Sequence, residues 1–156
     1  MAVGQVSSIT SDNWQLIATN TTTSGTTSSF SFSGYKRLLL TFNHTTAAGA
    51  RAYMQFNGAS TNYGGGTWVN EYNGQFFVTN TAIGLDGITS TGHDGYAIIE
   101  NAAAGAPKII KGASNNDGYA CSIDSCWTST AALTSLVVTT GSTFNGGSIS
   151  LYGIAA

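Results

Sequence analysis

Charge is scarce in this chain: only 8% of its residues are Asp, Glu, Lys or Arg, about a third of the usual ~25%. Five basic residues against seven acidic ones leave a formal charge of −2, and no basic cluster extends beyond the pair Lys36-Arg37. A nucleic-acid surface needs several phosphate-neutralising cations, so nucleic acid is excluded as a partner. No stretch approaches the ~18 apolar residues of a membrane span. The opening Met-Ala-Val-Gly-Gln-Val has neither the basic start nor the apolar run of a signal peptide, so folding in a cytoplasm is expected. Asn20-Thr-Thr and Asn43-His-Thr match the glycosylation sequon, but without a secretion signal they read as chance matches in a chain rich in Asn and Thr. Cysteine is limited to Cys121 and Cys126. A tetrahedral zinc site needs four ligands, and His44 and His93 stand at no metal-type spacing from them. A disulfide across a tight turn is open to the pair, while reducing conditions favour two free, mostly buried thiols. No cofactor is expected.

What fills the chain instead is Ser, Thr, Asn, aromatics and 20 Gly. Lys and Arg coat helices, whereas Thr and aromatics suit strands, and Gly and Asn suit turns. The composition predicts an all-β fold with almost no helix. At 156 residues the chain is long enough for one core, burying about two-thirds of its unfolded surface. Residues 1–13 are expected to form an arm or a short first strand, and residues 14–156 a single domain.

Alternation with period two recurs along that domain. Residues 14–19 open it, and residues 19–29 are too polar to bury and read as a turn. Phe30 and Phe32 share a face, Gly34 breaks the run, and Leu38, Leu40 and Phe42 then point inward. Leu39 lies between them, so the opposite face should also be partly covered, as at a subunit interface or under a long loop. Residues 44–50 read as a small-residue turn, after which Ala52, Met54 and Phe56 resume the alternation. Residues 57–80 are the least regular, with Gly64-Gly-Gly, Trp68, Tyr72 and a short strand at 75–78, and they read as an exposed functional excursion. A broken strand over 82–91 follows, then a hairpin of 96–100 with 107–111, a turn at Asn115-Asn-Asp-Gly, and strands at 119–130 and 133–139. In the last stretch, Gly147-Ser-Ile-Ser-Leu-Tyr-Gly-Ile, the residues Ile149, Leu151 and Gly153 fall on one face, as expected of a strand that closes the sheet. The total is eight to ten short strands without a repeat, the pattern of an antiparallel sandwich or jelly roll, with a barrel as the alternative.

The chain is poor in catalytic groupings. His93, in Ser90-Thr-Gly-His-Asp-Gly, is the one suggestive case, but His beside Asp and Gly is ordinary turn composition. Asp86-Gly and Asp94-Gly offer oxygens to calcium without an EF-hand spacing, and Gly64-Gly-Gly lacks the Lys-Ser/Thr of a phosphate loop. No enzyme activity is expected. Tyr63, Trp68 and Tyr72 offer aromatic faces that suit either an oligomer contact or the apolar patches of a sugar.

Three stretches carry a family resemblance: Tyr35-Lys-Arg-Leu-Leu-Leu-Thr-Phe, Tyr53-Met-Gln-Phe-Asn-Gly-Ala-Ser-Thr-Asn-Tyr, and the closing Gly147 strand. In this order they resemble elements of small jelly-roll proteins found in the virions of tailed bacteriophages. The resemblance implies a virion structural protein without catalytic residues. A chain of this size without a fibrous shaft fits a capsid decoration (cement) protein that binds between subunits of the major capsid protein. Such proteins are commonly homotrimers, folded in the host cytoplasm and located in the virion. Leu39, Trp68, Phe76 and Phe77 then become contact residues. The alternative it implies is a receptor- or carbohydrate-binding domain of a tail fibre or tail tip, with Tyr63, Trp68 and Tyr72 on a host-surface glycan. Ala-Ser-Thr follows Phe56-Asn-Gly where the family often has an acidic residue, which puts an ion or sugar site there in doubt.

Overall fold

A computed structural model describes residues 13–69, 76–78, 80–86 and 90–156, with 76–78 given as backbone. The expected arm, 1–13, therefore lies almost wholly outside the described residues. Twelve strands and no helix are found among them: β1 (Gln15–Thr21), β2 (Thr27–Ser31), β3 (Tyr35–Ala50), β4 (Ala52–Phe56), β5 (Tyr63–Val69), β6 (Phe76–Val78), β7 (Ile83–Gly84), β8 (Ser90–Glu100), β9 (Lys108–Asn116), β10 (Tyr119–Trp127), β11 (Ser135–Thr140) and β12 (Phe144–Ala155).

They form two antiparallel sheets, a large one ordered β1-β12-β3-β8-β9-β10-β5-β6 and a small one ordered β2-β11-β4-β7. Setting aside β5, β6, β9 and β10 leaves the halves β1-β12-β3-β8 and β2-β11-β4-β7. Renumbered in chain order, those eight strands run 1-8-3-6 and 2-7-4-5. This is the double Greek-key order of a jelly roll. The remaining four strands widen one sheet, because β9 and β10 continue from β8 as a meander and β5 adds beyond β10. Strand number exceeds the expected eight to ten because two pieces, β6 and β7, have only three and two residues.

The alternating residues build the core. Leu38, Leu40, Ala97, Ile99, Ile149 and Leu151 from the large sheet meet Ala52, Met54, Phe56, Leu136 and Val138 from the small one, all fully buried. Each large side chain contributes about 1.5–3 kcal/mol by leaving water. The closing strand is flanked on both sides, by β1 and β3. Tyr35 packs there because position 153 has no side chain; a Cβ on Gly153 would sit 2.3 Å from the Tyr35 ring.

Two expected irregular regions are strands instead. Residues 44–50 continue β3, with His44 paired to Gly147 on one side and His93 on the other. Long neighbours on both flanks supply backbone partners that overrule weak strand composition. The Gly64-Gly-Gly excursion lies in β5, in unbroken register with β10 from Tyr63↔Trp127 to Val69↔Cys121. Gly65 has φ +79, and a Cβ on it would lie 2.3 Å from the Asp124 carbonyl oxygen. The glycine therefore allows close backbone approach within a sheet. The broken strand expected over 82–91 reduces to β7 and the start of β8, and residues 87–89 lie outside the described ones. Both cysteines are free thiols, Cys121 buried and Cys126 half-buried.

Candidate functional site

Pairing register places outward side chains of the large sheet in rows, since directly opposed residues share a face. One row runs Leu16, Tyr152, Leu39, Ile98, Lys111, Asp124 across six strands. The next runs Thr19, Ser150, Thr41, Tyr96, Ala113, Ser122, Trp68. A third sets Glu100 against Ile109 and Ile109 against Cys126. Four of these side chains are exposed large hydrophobics: Leu16 (58%), Trp68 (47%), Tyr96 (45%) and Ile109 (44%). Leu39, Ile98 and Tyr152 between them are half-buried.

Charges on the described part of this face are few, and Asp94, set between Asn43 and Asn115, has no charge directly across from it. Arg37 Nη2 lies 2.5 Å from Glu100 Oε1, and the Arg37 guanidinium also sits 5.5 Å from the centre of the Trp14 ring. Lys111 is directly opposite Asp124. The outer face of the small sheet is different in kind: Thr27, Ser29, Ser31, Ser135, Val137, Thr139, Tyr53 and Gln55 occupy the outward positions. It is polar and well suited to water.

The sequence-nominated residues separate across this geometry. Leu39 and Trp68 are both on the large sheet's outer face. Tyr63 is buried, not available to a glycan: its hydroxyl oxygen accepts from the Phe56 backbone N–H at 2.8 Å, and its ring stacks on Trp127 with centroids 6.0 Å apart. The expected platform of Tyr63 with Trp68 therefore does not form, because β5 turns the two side chains to opposite faces. Tyr72 lies outside the described residues, and Phe76 and Phe77 are placed as backbone only, opposite Trp68 and Thr67. Tyr96, Ile98, Ile109, Leu16 and Tyr152 were not nominated by sequence. Ile98 between Ala97 and Ile99 carried the same signal as Leu39 between Leu38 and Leu40, an apolar residue on the second face.

His93 has company that its sequence neighbours do not indicate. Its Nδ1 lies 2.9 Å from Asp86 Oδ2 and 3.4 Å from Ser90 Oγ, and its ring stacks on His44 at 4.8 Å. Burial raises the Asp86 carboxyl above its ordinary range, against hydrogen bonds from His93 and Ala52. Nucleophilic catalysis needs the Ser and the carboxylate on opposite imidazole nitrogens, with the Ser reachable by substrate. Here both sit at Nδ1, and Asp86, Ser90 and His93 are each at most 3% exposed. The cluster is a structural one. Asp86 is held in it, away from the calcium role its Asp-Gly context allowed, and no group of three metal-type ligands occurs among the described residues.

A cleft of about 350 Å³ lies between β1 and β2, lined by hydroxyls and amides such as Thr19, Asn20, Thr21, Ser24 and Thr27. Asn20 Nδ2 spans it, donating to Ser28 Oγ and the Ser29 carbonyl at 3.0 Å each. No family model matches the sequence, and no curated protein and no solved structure matches it either.

Proposed function

We propose that this chain is a structural component of a bacteriophage virion, a decoration (cement) protein that stabilises the head by binding between major capsid subunits, acting as a homotrimer. The observation that carries the reading is a jelly roll whose larger sheet turns a neutral, apolar-centred face outward. Jelly rolls recur in viral capsid domains. A flat face with few long charged side chains loses little conformational entropy when it is covered, which suits assembly by shape. The three stretches that resemble phage jelly-roll proteins fall on β3, on β4 with the turn into β5, and on β12, so they cover both sheets of the sandwich.

Low-dose electron microscopy of intact particles carrying the protein tests this. Density at three-fold or quasi-three-fold positions of the head supports the cement role, and density confined to the tail tip overturns it.

The second reading is a carbohydrate-binding domain of a tail fibre or tail tip, favoured by the exposed Trp68 ring and the neutral hydroxyl-lined cleft beside β1. Glycan binding that is lost in a folded Trp68→Ala variant, or in Thr21→Val for the cleft, would support it. Absence of binding across a glycan panel would remove it.

A further inference from the structure

We infer that the free edge of β1 takes up an extended segment of a different polypeptide as a further strand of the large sheet. β1 and β2 each end their sheet among the described residues, and the loop 22–26 brings them together at one side of the sandwich. Register decides which backbone groups are left over there. The Thr22 N–H donates to the Gly147 carbonyl. By the alternation of an antiparallel pair, Ala18 and Asn20 then turn their peptide groups to β12, while Thr19 and Thr21 turn theirs off the sheet. On β2 the Phe32 N–H donates to the Thr134 carbonyl and the Thr140 N–H to the Thr26 carbonyl, which turns Thr27 and Ser29 off the small sheet in the same way. These four residues all line the cleft of about 350 Å³. Its walls are two main-chain edges.

The two edges differ in what occupies them. On β2 a side chain stands in for a neighbouring strand, since Asn20 Nδ2 donates to the Ser29 carbonyl at 3.0 Å. For the Thr19 and Thr21 peptide groups no partner is found among the described residues. Edge strands that stay single usually carry Lys, Pro or an irregularity. Gln15–Thr21 has neither charge nor proline, and its bulge, between Leu16 and Ala18, leaves Ala18–Thr21 in regular register. The chemistry of the edge names the occupant. N–H and C=O groups that repeat every ~6.6 Å along one line match a main chain in strand conformation, not a sugar. The side chains that this segment turns towards β2 must be small, because Asn20 and Ser28 already bridge the two layers at 3.0 Å. Gly, Ala, Ser or Thr therefore belong at its alternate positions.

The probe is the synthetic peptide acetyl-Thr-Ala-Thr-Ala-Thr-Ala-Thr-amide, added to the isotope-labelled full chain at up to about 2 mM, the range of weak recognition, and followed by NMR. Main-chain bonds supply the affinity in this mode, so no special sequence is required. Saturable shifts of the Thr19 and Thr21 amides are expected, with their hydrogen exchange slowed about twofold or more. Thr21→Pro deletes one edge N–H without touching the bonds to β12, and it should weaken binding about tenfold, the worth of one hydrogen bond. Thr19→Pro should do the same, and Ser29→Pro, on β2, should leave binding unchanged. The fully N-methylated peptide keeps the side chains and loses every donor; it should not bind, which keeps the test decisive if a proline variant does not fold. Unmoved Thr19 and Thr21 amides at the highest peptide concentration overturn the inference, as does binding that the N-methylated peptide retains. So does protection of these amides that grows with the concentration of the chain alone, which would assign the edge to a second copy. Shifts produced by a glycan panel and not by the peptide overturn it in favour of a sugar. None of these readouts depends on where the protein resides, so failure here is separate from failure of the virion reading.

Discussion

Asp86 Oδ2 accepts from the Ala52 backbone N–H at 2.6 Å and lies 2.9 Å from His93 Nδ1. Ala52 begins β4 in the small sheet and His93 lies in β8 of the large one, so a single carboxyl group pins the two layers together. Both side chains are essentially inaccessible to water. Removing one partner of such a pair leaves the other polar groups buried without compensation, which typically costs about 3–5 kcal/mol. Asp86→Ala should lower the unfolding free energy by that order in urea denaturation. Asp86→Asn, which can still accept from Ala52, should lose distinctly less.

His44 makes the sandwich sensitive to acid. Burial and then the neighbouring His93 lower its pKa from 6.5 to about 3, and neither ring nitrogen has a hydrogen-bond partner among the described residues. Its rings of contact are Phe42, Phe144 and His93. A depressed folded pKa contributes stability that is fully present above the unfolded value of 6.5 and is lost as pH falls towards about 3. The loss is about 1.4 kcal/mol per pH unit, roughly 3 kcal/mol by pH 4.5. Asp86 acts in the opposite sense: its raised pKa contributes stability at low pH that is lost as pH rises through the folded value. The His44 effect is therefore read as a difference. His44→Phe should hold its thermal midpoint better than wild type between pH 6.5 and 4.5, and an unchanged gap across that range would disprove the assignment.

Much of the sandwich was legible because its inner faces follow period two with few interruptions. Ala52, Met54 and Phe56, and Leu38, Leu40 and Phe42, are spaced for one buried face, and all six are buried. Leu39 was legible for the same reason, as an apolar residue on the face that alternation assigns to solvent. The glycine run in β5 was not, because glycine has no side chain to alternate and its justification is the Asp124 carbonyl across the sheet. The rows that join Leu39 to Leu16, or Tyr96 to Trp68, depend on pairing register, which no local stretch encodes. The His44–His93 stack was hidden likewise: it exists because β3 extends past Asn43, where small residues suggested a turn.

Tyr63 carries a prediction that separates its structural role from a surface one. Its hydroxyl oxygen accepts from the Phe56 N–H at 2.8 Å and lies 3.3 Å from the Ala59 carbonyl, to which it donates. Tyr63→Phe keeps the ring stack on Trp127 but leaves a buried backbone donor unpaired, at a cost of about 1–3 kcal/mol. The loss should appear in the urea midpoint, with the denaturant slope unchanged. Glycan binding by the chain, if measured, should not change in this variant.

Asn57 holds the turn after β4 against the start of β11, and its two contributions can be measured apart. Its Oδ1 accepts from the Thr134 and Ser135 backbone N–H groups at 2.8 and 3.1 Å, and its Nδ2 donates to the Ala132 carbonyl at 2.8 Å. Its backbone is left-handed, with φ 50, a conformation that Asn tolerates better than most side chains. Asn57→Gly removes the side-chain bonds but relieves the backbone, whereas Asn57→Ala removes the bonds and adds a left-handed penalty of about 1–2 kcal/mol. Both should destabilise the sandwich, and Ala more than Gly by about that penalty. If the two variants melt together, the side-chain bonds alone hold the turn. If Gly matches wild type, the backbone conformation is what the position selects.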